Sequence, residues 1–254
     1  MADTAGPPDL WTEFTRPATA ARVRLLCLPS AGGGALAYRQ WVEALGADGI
    51  DVWPVQLPGR ESRFDESPYD DMARLVSALL AEFGPALREG PYALFGHSMG
   101  GAIALEFAYA ARQCRLPGPV RLFISAGRPP NRPDPEAPWY DLPAPEFVER
   151  LRKYDRGSGL LDDPELLKIF LPKLRADVAL LQQYDRRPGE PLDCPLTVMG
   201  GWDDAAVPPN LFQGWADYTR AGFEIRLVGG AHFYLESARE FVLDLIRRRL
   251  ENSS

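Results

Sequence analysis

A serine flanked by glycines is the clearest candidate for chemistry in this sequence. Ser98 is the centre of a G-H-S-M-G run at residues 96–100, which follows an apolar stretch at 92–95 and precedes a helix-like pattern at 99–111. In such a strand–turn–helix context the turn strains the serine and exposes its hydroxyl at the carboxyl edge of a sheet. We therefore predict that Ser98 is a nucleophile. The alternative is a tight glycine turn that only joins a strand to a helix.

A serine nucleophile needs a general base, and the chain has two histidines, His97 and His232. His97 adjoins Ser98, so its side chain is expected to point elsewhere and to serve packing. His232 lies in G-G-A-H-F at 229–233, between the last predicted strand and the last predicted helix. A loop of this kind lies at the carboxyl edge of a parallel sheet, which makes His232 the predicted base. Two histidines also exclude a His₃ zinc site, and no metal is predicted.

An acid must hold the imidazole of the base and stabilise its cation. In enzymes with this serine turn the chain order is serine, acid, histidine, so the acid is expected after the strand-like run Leu196–Met199. Two adjacent aspartates, Asp203 and Asp204, follow that run. Loops of this type commonly read G-x-x-D with an aliphatic residue three positions later. Gly201 and Val207 then favour Asp204 as the acid, with Asp203 as the alternative.

Acyl transfer at a serine also needs hydrogen-bond donors for the charge that develops on the carbonyl oxygen. The backbone N–H of Met99, the residue after the nucleophile, is one predicted donor. The second is expected in the P-S-A-G-G-G loop at 29–34, whose glycines let main-chain amides approach a ligand, and we select Ala31. A phosphate-binding loop is the alternative, but neither G-x-x-x-x-G-K-[ST] nor G-x-G-x-x-G is present.

The elements that must position these residues alternate between short apolar runs and helical patterns. Strand-like runs lie at 23–28, 50–55, 92–95, 122–124, 196–199 and 225–228, and helical patterns lie at 36–45, 70–83, 99–111 and 238–250. This alternation indicates an α/β fold, with a mostly parallel sheet flanked by helices.

The alternation stops between Gly127 and Leu192. A proline-rich stretch there precedes helical patterns at about 144–155, 163–171 and 173–184. We therefore expect residues 1–127 and 192–254 to form the core of the fold and residues 128–191 to form an inserted helical lid.

The overall composition limits the partners and the compartment. The 254 residues include 35 acidic and 28 basic side chains, a formal net charge of −7, whereas nucleic acid binding needs a basic face. The most apolar stretch, 91–111, is interrupted by polar residues and is expected to be buried core, with no membrane span. Three cysteines without a C-x-x-C pair suggest neither a disulfide nor a thiolate site. No basic residue precedes Arg16, so no secretory leader is predicted and a cytoplasmic protein is expected.

Together these motifs resemble those of the type II thioesterases of polyketide and nonribosomal peptide synthesis, which are stand-alone members of the α/β-hydrolase superfamily. The similarity follows the family order over nearly the whole chain: L-P-S-A-G-G at 28–33 with Trp41, L-P-G-R-E-S-R-F at 57–64, G-H-S-M-G-G at 96–101, P-K-L-R-A-D at 172–177 with Tyr184, and G-G-A-H-F at 229–233. The P-G-R-E-x-R and L-R-A-D runs are not general hydrolase features. Ser30 is a departure, because many members carry a bulkier residue there, and we expect it to alter the hydrogen bonds of the oxyanion loop without abolishing them.

The resemblance implies an α/β-hydrolase fold and a thioesterase that cleaves acyl groups from the phosphopantetheine arm of acyl or peptidyl carrier proteins. It would remove stalled or mis-primed acyl groups during antibiotic and other secondary metabolite biosynthesis. It implies no metal or redox cofactor, because a thioester is already an activated acyl donor, and a monomer is expected. Carrier proteins are usually acidic, so docking onto this acidic chain would need a local basic rim. Candidates for that rim, or simply solvated surface residues, are Arg60, Arg63, Arg128 and Arg132.

Three other functions stay open. A general carboxylesterase or lipase would use the same triad on oxygen esters without a protein partner. An acyltransferase would exclude water from the acyl-enzyme and admit a second alcohol or amine. A non-catalytic binding protein that retains a hydrolase fold is disfavoured by the intact set of Ser98, Asp204 and His232.

Overall fold

A parallel sheet flanked by helices organises the chain. The computed structural model describes residues 6–16, 21–134, 136–154, 160–184 and 189–251. Within these ranges six strands pair in parallel in the order β2-β1-β3-β4-β5-β6. The strands are β1 Val23–Leu28, β2 Ile50–Pro54, β3 Tyr92–His97, β4 Arg121–Ser125, β5 Leu196–Gly201 and β6 Phe223–Val228. The α-helices are α1 Arg39–Gly46, α2 Met72–Leu87, α3 Met99–Gln113, α4 Ala144–Leu151, α5 Pro164–Gln182 and α6 Arg239–Leu250. Short 3-10 helices lie at Ala35–Tyr38, Glu61–Arg63, Arg152–Tyr154 and Pro209–Tyr218.

The central strands are buried on both faces because their side chains alternate between two apolar cores. In β1, Leu26 and Leu28 belong to the core shared with α2 and α3, whereas Leu25 and Cys27 belong to the core shared with α1 and α6. A strand covered on both sides contains few polar residues, which explains why it is visible in the sequence as an apolar run. The predicted α/β fold with a parallel sheet is confirmed.

The strand order reverses between β1 and β3. Strand β2 lies on one side of β1, and β3 pairs with the other side from Arg24–Tyr92 to Leu28–Gly96. The connections that leave two such strands diverge and open a crevice at the carboxyl edge of the sheet. The loops after β1 and β3 contain Ala31 and Ser98, so the topology brings the predicted oxyanion loop and the predicted nucleophile to the same crevice.

Helices α4 and α5 lie between β4 and β5, in the segment predicted to be an inserted lid. They share a small apolar cluster of Trp139, Phe147 and Val178, separate from the two cores of the sheet. Helix α4 ends at Leu151, earlier than predicted, and a 3-10 turn follows it. The division of the chain into core and lid stays a prediction.

The helical prediction around Pro172 is wrong. The patterns at 163–171 and 173–184 are one helix, α5, which continues through the proline. Asp163 caps its first turn by accepting the N–H groups of Glu165 and Leu166, and residues 177–180 at its other end are buried. Because both ends are anchored, the helix survives the loss of one backbone hydrogen bond at the proline.

Candidate active site

Ser98 occupies a sharp turn between β3 and α3. The strand ends at His97 and the helix begins at Met99, so a single residue makes the turn. Its backbone has φ 53° and ψ −112°, a sparsely populated conformation that costs on the order of 1–3 kcal/mol. The Ser98 N–H donates to the carbonyl of Ser125 at the end of β4 (2.7 Å), which helps to hold this conformation. The strained residue therefore lies at the carboxyl end of the central strands.

The glycines on either side of Ser98 permit a close approach of backbones. A Cβ atom on Gly96 would overlap the carbonyl oxygen of Gly100, and one on Gly100 would overlap the carbonyl oxygen of Leu28 in β1. Both overlaps involve main-chain atoms, which cannot move aside as the end of a flexible side chain can. The G-x-S-x-G spacing is thus a packing requirement of this turn.

His232 lies between Ser98 and Asp204. Its Nε2 is 2.9 Å from the Ser98 Oγ, and its Nδ1 is 2.7 Å from the Asp204 Oδ2. With the proton on Nδ1, the imidazole donates to the carboxylate and accepts from the serine hydroxyl. His232 is 5% exposed and Asp204 is 3% exposed, so this pair is shielded from water.

The loop after β5 presents one of its two aspartates to the imidazole. Asp204 Oδ1 accepts the N–H groups of Ala206 and Val207, both at 2.9 Å, which orients the carboxylate and leaves Oδ2 for His232. Asp203 is exposed. The structure therefore brings Asp204, rather than the alternative Asp203, into the hydrogen-bonded set.

The two predicted oxyanion donors lie at the ends of neighbouring strands. Met99 is the first residue of α3, where N–H groups have no intrahelical acceptor. Ala31 lies in the loop after β1, in a turn closed by a hydrogen bond from the Gly33 N–H to the Ser30 carbonyl (2.9 Å). This turn uses the main chain of Ser30, so it does not depend on the side chain at that position. The role of both amides stays a prediction.

A second buried polar network lies beside His232, and sequence reasoning missed two of its members. His97 Nδ1 is 2.9 Å from the Ser125 Oγ, which is 2.6 Å from the Tyr234 hydroxyl. Burial raises the pKa of Tyr234. The ring centroids of His97 and His232 are 5.5 Å apart. His97 is thus held in a packed network, as predicted, whereas Ser125 and Tyr234 belong to no motif and are marked only by position, at the end of β4 and two residues after His232.

Two of the four arginines considered for a basic docking rim are buried. Arg60 and Arg63 are 8% and 7% exposed, and Arg60 is paired with Asp177. Because a buried guanidinium cannot form a solvent-facing rim, that hypothesis is wrong for these two residues. Arg128 is partly exposed and Arg132 is exposed.

The part of the chain that the structure describes shows neither a metal-ligating cluster nor a membrane-spanning helix. Across the described residues, no group of three or more His, Cys, Asp or Glu side chains is arranged to hold a metal ion. None of the helices in the same ranges has both the length and the apolar character needed to cross a bilayer. Cys27 and Cys194 are buried, and burial raises the pKa of Cys194 to about 11.

The parallel sheet, the strained serine turn and the imidazole between serine and aspartate define a hydrolase of the α/β-hydrolase fold. Comparison with known proteins identifies the family. Residues 23–250 match the family model described as "Thioesterase domain". The chain belongs to the thioesterase family.

Relatives from biosynthetic systems cover most of the chain. The gramicidin S biosynthesis protein GrsT of Aneurinibacillus migulanus is 34% identical over 91% of this chain and 90% of its own length. The solved structure of BorB, a type II thioesterase from the borrelidin biosynthetic cluster, is 34% identical and superimposes with a TM-score of 0.85 over 97% of this chain and 100% of that chain. RedJ, a thioesterase from the prodiginine pathway of Streptomyces coelicolor, is 36% identical with a TM-score of 0.83 over 98% of this chain and 95% of that chain. The resemblance to type II thioesterases is confirmed.

Proposed function

We propose that this thioesterase hydrolyses acyl groups held as thioesters on the phosphopantetheine arm of acyl or peptidyl carrier proteins. It would thereby remove stalled or mis-primed acyl groups in polyketide or nonribosomal peptide biosynthesis. The observation that carries the proposal is that the imidazole of His232 is hydrogen-bonded both to the Ser98 Oγ and to the Asp204 Oδ2. Two relatives support the choice of pathway, since BorB is a type II thioesterase from the borrelidin biosynthetic cluster and GrsT is a gramicidin S biosynthesis protein.

In the first half of the proposed reaction Ser98 becomes acylated. His232 Nε2 takes the hydroxyl proton as the oxygen attacks the thioester carbonyl, and Asp204 stabilises the resulting imidazolium. The N–H groups of Met99 and Ala31 stabilise the oxyanion of the tetrahedral intermediate. Collapse of that intermediate breaks the carbon–sulfur bond, and the imidazolium returns its proton to the leaving sulfur. The arm departs as a thiol.

In the second half water releases the acid. His232 takes a proton from the water as its oxygen attacks the acyl-enzyme ester, and then returns that proton to the Ser98 oxygen. We propose that no metal or redox cofactor takes part, because the thioester is already activated and the phosphopantetheine belongs to the substrate.

A crevice beside Met99 is our candidate for the acyl site. It is lined by apolar side chains, among them Leu57, Tyr69 and Leu180, and by the paired Arg60 and Asp177. The ring centroid of Tyr154 lies 5.5 Å from that of His232, so the segment between β4 and β5 reaches the imidazole. We propose that residues 128–191 act as a lid over this crevice, and that the protein works as a cytoplasmic monomer with a carrier protein as partner.

The test compares hydrolysis of acyl-carrier-protein thioesters with hydrolysis of oxygen esters that carry the same acyl group. We expect faster turnover of the carrier-bound thioester, and loss of that activity by at least about a thousandfold in Ser98→Ala and in His232→Ala. Comparable turnover by Ser98→Ala would refute the mechanism. Retained activity in His232→Ala would do the same, because no other histidine except the networked His97 is present.

The same assay addresses the other functions. Preference for oxygen esters with no effect of the carrier protein would identify a general carboxylesterase or lipase. Transfer of the acyl group to an added alcohol or amine, faster than its release as acid, would identify an acyltransferase. Neither alternative is favoured by a specific contact among the described residues.

A further inference from the structure

Helix α5 touches the predicted oxyanion loop through one buried carboxylate. Asp177 is 2% exposed and accepts the N–H of Gly32 at Oδ2 (2.8 Å). The guanidinium of Arg60 donates to both oxygens of the same carboxylate, from Nη1 to Oδ2 (3.0 Å) and from Nη2 to Oδ1 (2.7 Å). A residue of the segment between β4 and β5 is therefore bonded directly to the main chain next to Ala31.

Arg60 extends this contact to the next loop residue. Its Nη1 also donates to the carbonyl of Gly33 at 3.2 Å. Arg60 and Asp177 together hold an N–H and a C=O of two consecutive glycines. Arg60 belongs to the P-G-R-E-x-R run and Asp177 to the L-R-A-D run, which the catalytic mechanism leaves without a role.

The loop after β2 holds the following residues of the oxyanion loop in the same manner. Gln56 Oε1 accepts the N–H of Ala35 at 3.0 Å, and Glu61 Oε2 accepts the N–H of Leu36 at 3.1 Å. Side chains from elsewhere in the chain thus accept the N–H groups of Gly32, Ala35 and Leu36 and donate to the Gly33 carbonyl.

The loop needs these outside partners because it has few side chains of its own. Gly32, Gly33 and Gly34 offer no atoms beyond the backbone to pack, and glycine loses more conformational freedom on ordering than any other residue. Gly32 has φ +69°, and a Cβ there would lie 2.8 Å from the Leu174 Cδ2 of α5, so helix and loop are in close contact. An oxyanion donor contributes only if it is held in place before the charge develops.

We propose that the Arg60–Asp177 pair is a positioning device for the oxyanion loop, so that helix α5 completes the geometry in which the Ala31 amide faces the reacting carbonyl. This proposal rests on the proposed function, since it assigns the pair a role in acyl transfer at Ser98. The pair acts on the reaction through the main chain of the loop, to which both side chains are hydrogen-bonded. Movement of α5 away from the loop would remove the acceptor of the Gly32 N–H and release the loop.

The experiment replaces the whole pair, because removing one partner leaves an uncompensated buried charge that destabilises the fold. In Arg60→Met/Asp177→Leu both charges are gone and the volume is kept, so the thermal unfolding temperature is expected within about 5 °C of the wild type. We expect kcat for a thioester substrate to fall about 10- to 100-fold, because a misplaced oxyanion donor costs that order of magnitude, while KM stays within about threefold.

A matched control separates positioning of the loop from attachment of the helix. Lys173 lies one turn before Asp177 on α5. Its Nζ donates to the carbonyl of Phe64 and lies 3.7 Å from the centroid of the Phe64 ring. Lys173→Met removes a contact of α5 that does not involve residues 32–36 and leaves the Arg60–Asp177 pair in place, so we expect its kcat to stay within about threefold of the wild type. An equal loss of kcat in this control would overturn the proposal.

The Ki of an inhibitor that mimics the tetrahedral intermediate distinguishes positioning of the oxyanion loop from a general structural role. An alkyl boronic acid forms a tetrahedral adduct with Ser98 whose oxygen occupies the oxyanion position, so its Ki should rise in the double variant by the factor by which kcat/KM falls. An unchanged Ki or an unchanged kcat would refute the positioning role.

If the double variant does not fold, Arg60→Lys serves instead, since it keeps the charge but cannot bond both carboxylate oxygens and the Gly33 carbonyl together. That variant is expected to lose about 3- to 10-fold in kcat, and no loss would overturn the proposal.

The two proposals fail in different ways. If the wild type hydrolyses thioesters and the double variant does so equally well, the positioning role alone is wrong. If the wild type binds the boronic acid at Ser98 but ignores carrier-bound thioesters, the proposed substrate is wrong, and the Ki comparison still tests the positioning role.

Discussion

Replacing Asp204 by asparagine is expected to lower kcat by about a thousandfold to ten-thousandfold with little loss of folding. The size of the effect follows from how the carboxylate is used. Its Oδ1 accepts the N–H groups of Ala206 and Val207, and its Oδ2 accepts from His232 Nδ1. An asparagine has one oxygen and one NH₂ group, so it cannot accept on both sides.

The orientation of the new amide decides the tautomer of His232. The two backbone N–H groups require an acceptor, so the amide oxygen takes the place of Oδ1 and the NH₂ group faces Nδ1. The imidazole must then accept at Nδ1 and carry its proton on Nε2, toward the Ser98 hydroxyl. An Nε2 that is already protonated cannot take the serine proton, which removes general base catalysis. The hydrogen bonds from the N–H groups of Ala206 and Val207 are kept, so we expect the variant to fold like the wild type.

The assay is release of free thiol from an acyl-pantetheine thioester, with thermal unfolding measured in parallel. Asp203→Asn is the matched control, because it makes the same chemical change one residue away on an exposed side chain, and its kcat should stay within about threefold of the wild type. Equal losses in the two variants would refute the reasoning. So would an Asp204→Asn enzyme that keeps more than about a tenth of the wild-type kcat.

Two further predictions concern stability. Gly100→Ala places a Cβ against the carbonyl oxygen of Leu28, so we expect the unfolding temperature to drop by about 5 °C or more. Gly118→Ala is the control, because a Cβ there meets nothing within 4 Å, and its unfolding temperature should stay close to that of the wild type. Similar unfolding temperatures for the two variants would contradict this prediction. Hydrogen bonds from Arg249 are the main cause that lowers the pKa of Glu224 from its usual 4.5 to about 2. The ionised Glu224 therefore stabilises the folded state fully above pH 4.5, and this contribution is lost as the pH falls toward 2. The advantage of the wild type over Glu224→Gln in thermal unfolding should therefore shrink below pH 4.5, and an advantage that stays constant would refute the assignment.

The fold and the nucleophile could be predicted because local patterns determine them. Each central strand is apolar on both faces, and the glycines around Ser98 are demanded by contacts within a single strand–turn–helix unit. The small number of histidines reduced the choice of base to His232. In each case a short stretch of sequence contains most of the physical cause.

Features set by tertiary contacts were less accessible. The proline at 172 predicted a break, but α5 is anchored by the cap at Asp163 and by burial at its other end, and these contacts outweigh a local cost. Arg63 looked like surface charge, yet its guanidinium donates to the carbonyl of Gln56 in a buried position. Charge in a sequence does not reveal exposure, because a guanidinium with enough acceptors is tolerated inside a protein.

The Arg60–Asp177 pair shows most clearly why part of the site was out of reach. Its residues are separated by 117 positions, and Asp177 is 145 positions from Gly32, the loop residue that it holds. The motifs that contain them could be recognised in the sequence, but a sequence motif does not reveal which distant main-chain groups its side chains contact. An oxyanion loop that is half glycine has few side chains with which to order itself, so we infer that part of its geometry is supplied by other elements. The residues that we propose as positioning the Ala31 amide are therefore distant in sequence from Ala31, and a variant at Asp177 is expected to impair acyl transfer through the loop.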